Sequence, residues 1–309
     1  MKHFDHIIGQ DKPKSRLDFY LKCFGSGEII PNLLLIAPKG CGKTTLASAM
    51  GVELHRRTNG EKGCHIINCS TIKNVGGFVN QIMIPLLVDK HVTLILDEAS
   101  ELPKDVTMFL LSCLEPGRQV NHVVHDDYHI EVDFKRHTFI LATSEGDKVF
   151  PPLKDRCTRV ELEEYTPDHI AQIIKLQGMK ITDDVLKSVA KVCRGNARQA
   201  VSLAQEVKRY QKMNGGTFSQ THWKELCEIV GILPLGLSEM ELSLLKVLKD
   251  RPDGTSLTRI GACMGMSKTA IQADLELYPA KMGLLEITTT GRVLTPKGQA
   301  YLKELSKTP

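Results

Sequence analysis

The chain has 309 residues, 42% of them hydrophobic and 25% charged, and its formal net charge is +4. That length suits two or three domains with buried cores, and the charge is too mild to establish a nucleic-acid partner by itself. No apolar stretch approaches a membrane span, the N-terminus has no signal-peptide apolar region, and the nine cysteines include no CxxC pair, so a reduced, cytoplasmic setting is expected.

Taken in chain order, the first informative element is Leu33-Leu34-Leu35-Ile36, an apolar run that suits a buried parallel strand. Ala37-Pro38-Lys39-Gly40-Cys41-Gly42-Lys43-Thr44 follows, and Thr44–Met50 reads as a helix. Strand, glycine loop and helix together form a phosphate cradle. Gly40 and Gly42 let backbone N–H groups turn inward, and the helix N-terminus adds partial positive charge. Lys43 would reach the β- and γ-phosphates, and the Thr44 hydroxyl would ligate Mg²⁺. Ala37 stands where such loops usually begin with glycine. Further on, Val92–Leu96 is apolar and ends in Asp97-Glu98, at the carboxyl edge where open α/β sheets place ligands. Asp97 would hold the metal and Glu98 would orient the attacking water.

Leu33–Ala37, Cys64–Cys69, Val92–Asp97, Thr138–Thr143 and Arg159–Glu163 alternate with helices, which predicts an α/β fold with a parallel sheet over residues 1–163. Residues 120–132 read as a β-hairpin whose turn holds Asp126-Asp127. Cys64 with Cys69, and His122 with His125 and His129, lack a second ligand pair, so no metal centre is expected there. Residues 164–233 are helical: Thr166-Pro167-Asp168 opens one helix, Thr182 another, and Gly195-Asn196 breaks before Ala197–Gln211. Residues 234–309 begin with the capping box Ser238-Glu239-Met240-Glu241. Helices at Ser256–Met264 and Lys268–Tyr278 follow, then strands Leu284–Ile287 and Arg292–Leu294. Helix–turn–helix plus a two-stranded wing is a winged helix, which binds DNA or docks proteins. This block carries ten lysines and arginines against eight acidic residues. Asp274 and Glu276 lie on its third helix, so grip on the DNA backbone is favoured over base reading, with Arg292 the best candidate contact.

The ordered set of motifs resembles an AAA+ ATPase, specifically the RuvB family of Holliday-junction branch-migration motors. His6-Ile7-Ile8-Gly9-Gln10 resembles that family's adenine-pocket opening, and residues 35–47 its phosphate loop. Phe139–Ser144 resembles sensor 1 and Leu153-Lys154-Asp155-Arg156 the arginine-finger run. Tyr165-Thr166-Pro167 resembles the lid entry, Arg194-Gly195-Asn196-Ala197-Arg198 the sensor 2 run, and Tyr278–Leu285 part of the winged helix. The resemblance implies a nucleotide-binding domain (1–163), a helical lid (164–233) and a DNA-binding winged helix (234–309).

It also implies site residues, ligands and partners. Ile7, Ile8 and Gly9 would hold adenine, and Pro38, Lys39, Gly40, Cys41, Gly42, Lys43, Thr44 and Thr45 the phosphates. Tyr165 would line the nucleotide site. Thr143 or Ser144 would contact the γ-phosphate or the attacking water, Arg198 the γ-phosphate of its own subunit, and Arg156 that of a neighbour. Duplex or four-way-junction DNA, a hexameric ring and an accessory junction-binding protein are the implied partners, with ATP and Mg²⁺ at the site. The hairpin, with His122, His125, Asp126 and Asp127, departs from the family's apolar tip, and the wing has one basic residue where the family has two or more. Asp155-Arg156-Cys157 and Ile67–Ser70 also resemble clamp-loader ATPases, although those end in a helical collar. An ATP-dependent scaffold that recruits replication or transposition proteins is the alternative without a motor.

Overall fold

The first unit of this computed structural model alternates strands with helices as the sequence predicts. The structure describes residues 3–115, 120–125, 128–251 and 253–306, with the backbone alone for 120–125, 128 and 129. In chain order come α1 (Asp11–Gly25), β1 (Leu33–Ile36), α2 (Lys43–Arg57), β2 (Lys62–Asn68) and α3 (Val75–Phe78), which continues as a π-helical stretch, Val79–Leu87. Then follow β3 (His91–Asp97), α4 (Lys104–Cys113), β4 (Val120–His125), β5 (Tyr128–Asp133), β6 (Thr138–Thr143), α5 (Pro151–Asp155), β7 (Thr158–Glu161) and α6 (Pro167–Lys175). The helices α7 (Asp183–Val192) and α8 (Ala197–Asn214) come next. One compact unit comprises Met1–Met179 with Gly195–Gln205, the other Lys180–Arg194 with Glu206–Pro309.

The first unit is built on a five-stranded parallel sheet of order β2-β3-β6-β1-β7. Register pairs Ile36 with Thr143 and Asp97 with Ala142, so the ends of β1, β3 and β6 lie side by side. The three central strands, β3, β6 and β1, are buried on both faces, which is why they read as apolar runs, whereas the edge strands β2 and β7 are partly exposed. Leu33, Leu35, Ile95 and Ile140 pack with Leu17 and Leu21 of α1 and with Leu46, Met50 and Leu54 of α2. Leu34, Leu94, Leu96 and Phe139 pack with Ile82 and Met83 of the π-helical stretch and Leu110 of α4. Truncating any one of these leucines to alanine costs about 2–5 kcal/mol.

Several strand boundaries differ from expectation by one or two residues, and two of them have a visible cause. Cys69 leaves β2 for a short turn because the Asn68 side chain accepts from Ser70 N–H. Similarly, β7 stops at Glu161, and the Glu163 backbone bonds to the Gln10 side chain. The hairpin forms, with β4 antiparallel to β5 and His125 opposite Tyr128, while Asp126 and Asp127 lie outside the described residues.

In the second unit, α9 (Gln220–Val230) precedes a winged helix: α10 (Glu239–Lys249), α11 (Leu257–Met264), α12 (Lys268–Ala270), a π-helical stretch Ile271–Glu276, α13 (Leu277–Lys281), β8 (Leu285–Thr288), β9 (Gly291–Leu294) and α14 (Pro296–Leu305). The capping box is present, with Ser238 Oγ accepting from Glu241 N–H and the Glu241 carboxylate from Ser238 N–H. Ser256 and Ser267 cap the next two helices. The third helix runs to Lys281, beyond the predicted Tyr278, because π-helical winding precedes Pro279, a residue with no N–H for an i−4 bond. Within this unit Arg194 pairs with Glu241 at 2.6–2.8 Å, donates to Gly236 O, and stacks 3.7 Å from the Tyr278 ring centre.

Candidate nucleotide-binding site

The phosphate loop leaves β1 and enters α2 through two left-handed glycines, Gly40 at φ 80° and Gly42 at φ 88°. Added Cβ atoms would overlap the Asn196 amide at Gly40 and lie 2.6 Å from the Tyr165 hydroxyl at Gly42. Glycine is therefore required by backbone sign and by space. Cys41, between them, is buried in the core with Leu33 and Leu46. Two bonds brace the loop from the turn before α8: Ala197 N–H donates to Gly40 O at 2.9 Å, and the Asn196 amide donates to Lys39 O at 3.2 Å.

Lys43, the first residue of α2, donates through Nζ to Ala37 O at 2.7 Å and Pro38 O at 3.1 Å. Burial pushes its ammonium below the usual lysine range, partly offset by Cys41 and Asp97 and deepened by Arg198 and Lys39. A phosphate anion in the loop would supply the charge that this desolvated ammonium needs.

At the next position, the Thr44 hydroxyl donates to Asp97 Oδ2 at 2.7 Å. Thr44 is the second residue of α2 and Asp97 closes β3, so two hard oxygens meet at the sheet edge. Mg²⁺ takes octahedral oxygen ligands at about 2.0–2.1 Å, which sets neighbouring ligands about 3 Å apart, and this pair fits such an edge with little movement. Glu98 follows with left-handed backbone (φ 55°), a conformation costing about 1–3 kcal/mol at a non-glycine residue. On β6, Thr143 Oγ1 donates to Ser100 Oγ at 3.0 Å and accepts from Glu145 N–H at 3.0 Å.

These groups face one cavity of about 510 Å³, within the range of small-molecule sites. Its polar lining includes Lys39, Gly40, Gly42, Lys43, Thr44 and Thr45, with Asp97, Glu98, Thr143, Ser144 and Arg198. Its apolar lining includes Ile7, Ile8, Tyr165, Ile173, Leu176 and Val201. Burial raises the Tyr165 hydroxyl above the usual tyrosine range. Sequence reasoning missed His6, Ile173, Leu176, Ala197 and Val201, all lining residues. The i, i+3 pair Ile173/Leu176 and the i, i+4 pair Ala197/Val201 were the available signal.

Three expected contacts are outside the lining. Gly9 is left-handed (φ 62°) and leaves no room for a Cβ, which would come 2.9 Å from His169 Nδ1. Pro38 offers its carbonyl to Lys43, and Cys41 points into the core. Arg156 is likewise absent from the cavity of its own subunit. At the end of α5 it donates to Glu115 through Nε at 3.1 Å and NH2 at 3.0 Å, and to Pro152 O at 3.2 Å. The Arg156 side chain is 25% exposed and Glu115 54%.

Arg292, in the second unit, requires a correction. It donates to both Glu276 carboxylate oxygens, at 2.7 and 3.0 Å. The side chains are 13% and 5% exposed. The charge expected to meet a DNA phosphate is cancelled and largely covered, because a residue on the third helix faces the wing.

The family description "Holliday junction DNA helicase RuvB P-loop domain" matches residues 1–162, and "RuvB C-terminal winged helix domain" matches residues 234–303. The chain is similar to the Holliday junction branch migration complex subunit RuvB of Fusobacterium nucleatum, 26% identical over 316 residues that cover 98% of this chain and 92% of the relative. The RuvB subunit of Thermotoga petrophila is 28% identical, with 98% and 91% covered. The solved structure of the Thermotoga maritima RuvB Holliday junction branch migration motor superposes with a TM-score of 0.79 at 27% identity, covering 98% of this chain and 97% of that one. With both ends matched and the intervening fold shared, the chain belongs to the RuvB family.

Proposed function

We propose that this chain is an ATP-driven motor that moves duplex DNA through four-way junctions, the activity for which its relatives are named. The observation that carries it is the Thr44–Asp97 pair at 2.7 Å, beside Lys43 and Glu98 in one cavity. ATP enters with its base against Ile7 and Ile8 and its phosphates in the loop. Lys43 leaves the Ala37 and Pro38 carbonyls for the β- and γ-phosphates. Mg²⁺, held by Thr44 and Asp97, would neutralise charge on the phosphates. Glu98 orients the attacking water, and Thr143 with Ser144 contacts the water or the γ-phosphate. Arg198 reads the γ-phosphate from its own subunit, and Arg156, outside that subunit's cavity, serves a neighbour's site in a ring. A nucleotide-binding domain (1–163), a helical lid (164–233) and a DNA-binding winged helix (234–309) divide the work. A hexamer, an accessory junction-binding protein and a cytoplasmic setting complete the proposal.

Two substitutions test the site. Lys43→Ala is expected to lose nucleotide binding. Glu98→Gln is expected to bind ATP yet turn over about 10²–10⁴-fold more slowly, the usual range for losing a general base. Wild-type turnover by Glu98→Gln would refute the role of Glu98.

A further inference from the structure

Gln10 is absent from the cavity lining, yet it joins the segments that form the cavity. It sits at the start of α1 with left-handed backbone (φ 57°) and is 8% exposed. Its amide donates to Cys41 O, in the middle of the phosphate loop, at 3.3 Å, and to Glu163 O at 2.7 Å. Its Oε1 accepts from Glu163 N–H at 3.1 Å. Tyr165, two positions beyond Glu163, sets its hydroxyl against Gly42 of the loop. Ile7 and Ile8, which line the cavity, precede Gln10 with only Gly9 between, and Lys14 of α1 holds Ile7 O at 2.9 Å.

We infer that Gln10 is a positioning residue that couples the base-binding segment to the phosphate loop, so that a purine seated on Ile7 and Ile8 strengthens phosphate binding. A buried amide has few substitute partners, so any shift of residues 7–10 must change its bonds to Cys41 and Glu163 or move those groups with it. The segment and the loop therefore have a shared set of positions. A ligand that fixes one lowers the ordering cost of the other. The coupling is reciprocal: adenosine and a phosphate chain each raise the other's affinity by the same factor. A simple brace of the loop would not require this. The inference rests on the proposed nucleotide site.

The test uses the full-length protein with adenosine and inorganic tripolyphosphate as separate probes. In calorimetric titrations of the wild type, saturating adenosine is expected to raise tripolyphosphate affinity about fivefold or more, the lower end of ordinary coupling. Gln10→Met keeps the length and removes the polar atoms. It is expected to abolish that enhancement and weaken ATP binding about tenfold, as loss of one or two buried hydrogen bonds implies. Tripolyphosphate alone is expected to bind within twofold of wild type. Independent binding of the two probes to wild-type protein that binds ATP would overturn the coupling while leaving the nucleotide site intact. Equal weakening of ATP and tripolyphosphate by Gln10→Met would reduce Gln10 to a loop brace. Failure of wild-type protein to bind ATP would instead overturn the site itself. The wild-type titration decides the matter even where the variant does not fold.

Discussion

Arg292→Ala separates a structural role for this residue from a DNA contact. Its partner Glu276 is 5% exposed and takes two hydrogen bonds from the guanidinium. Removing the arginine leaves a carboxylate in the interior of the winged helix without that partner, and breaking such buried pairs costs about 3–5 kcal/mol. A urea slope of about 1–3 kcal/mol per molar turns this into a midpoint shift of at least about 1 M. Trp223, the sole tryptophan in the sequence, is buried in α9 of the same unit, so its fluorescence follows the relevant unfolding. Arg292→Met with Glu276→Leu exchanges the pair for apolar side chains and is expected to recover most of the loss. DNA binding is expected to keep its salt slope wherever Arg292→Ala remains folded. An unchanged urea midpoint, together with a salt slope lowered by about one, would refute the argument and return Arg292 to the phosphate backbone.

Among the exposed cations of this block, Arg259 on α11 and Lys268 on α12 lie on its helix–turn–helix and are candidate contacts, and replacing both with alanine is expected to lower the salt slope of duplex binding by about two. Glu115→Gln releases Arg156 from its ion pair. If Arg156 serves a neighbour's site, half-maximal ATPase is expected at up to about fivefold lower protein concentration, since exposed pairs contribute about 0.2–1 kcal/mol; an unchanged concentration dependence would show that the pair does not restrain the arginine. The Arg56 and Arg57 guanidiniums, with His3, hold the Glu53 carboxyl down at about 2. That shift corresponds to about 3 kcal/mol, reduced to about 1–2 kcal/mol because Arg56 is 67% exposed and screened by solvent. The folded pKa is depressed, so the contribution is present above the ordinary glutamate range and lost as pH falls towards 2. Urea unfolding of Glu53→Gln is therefore expected to show a constant deficit above about pH 5 that shrinks below pH 4.5, and a deficit independent of pH would contradict the pairing.

What was legible in the sequence was mostly local. Leu33–Ile36 and Val92–Leu96 are apolar because both faces of their strands are buried, and Ser238 with Glu241 announces a helix within four residues. The glycines of the phosphate loop and the acids ending β3 were also readable, because their chemistry is carried by adjacent positions. The helices α1, α4 and α14 were not recognised. Pairings across long separations were hidden as well. Arg292 and Glu276 are 16 positions apart, Arg156 and Glu115 are 41, and Gln10 and Glu163 are 153. No periodicity links such residues, and only the packed fold decides which charges meet each other and which meet solvent. Arg292 therefore looked like a free wing cation, and Gln10 like the end of an adenine motif.

The most direct test of the proposed motor is dissociation of a synthetic four-way junction by the purified protein, compared with ATP, with a non-hydrolysable analogue and with Glu98→Gln. Junction resolution into duplex products is expected with wild-type protein and ATP alone. Hydrolysis of ATP at full rate on junction DNA with the arms unmoved would contradict a DNA motor, as would equal dissociation with the analogue.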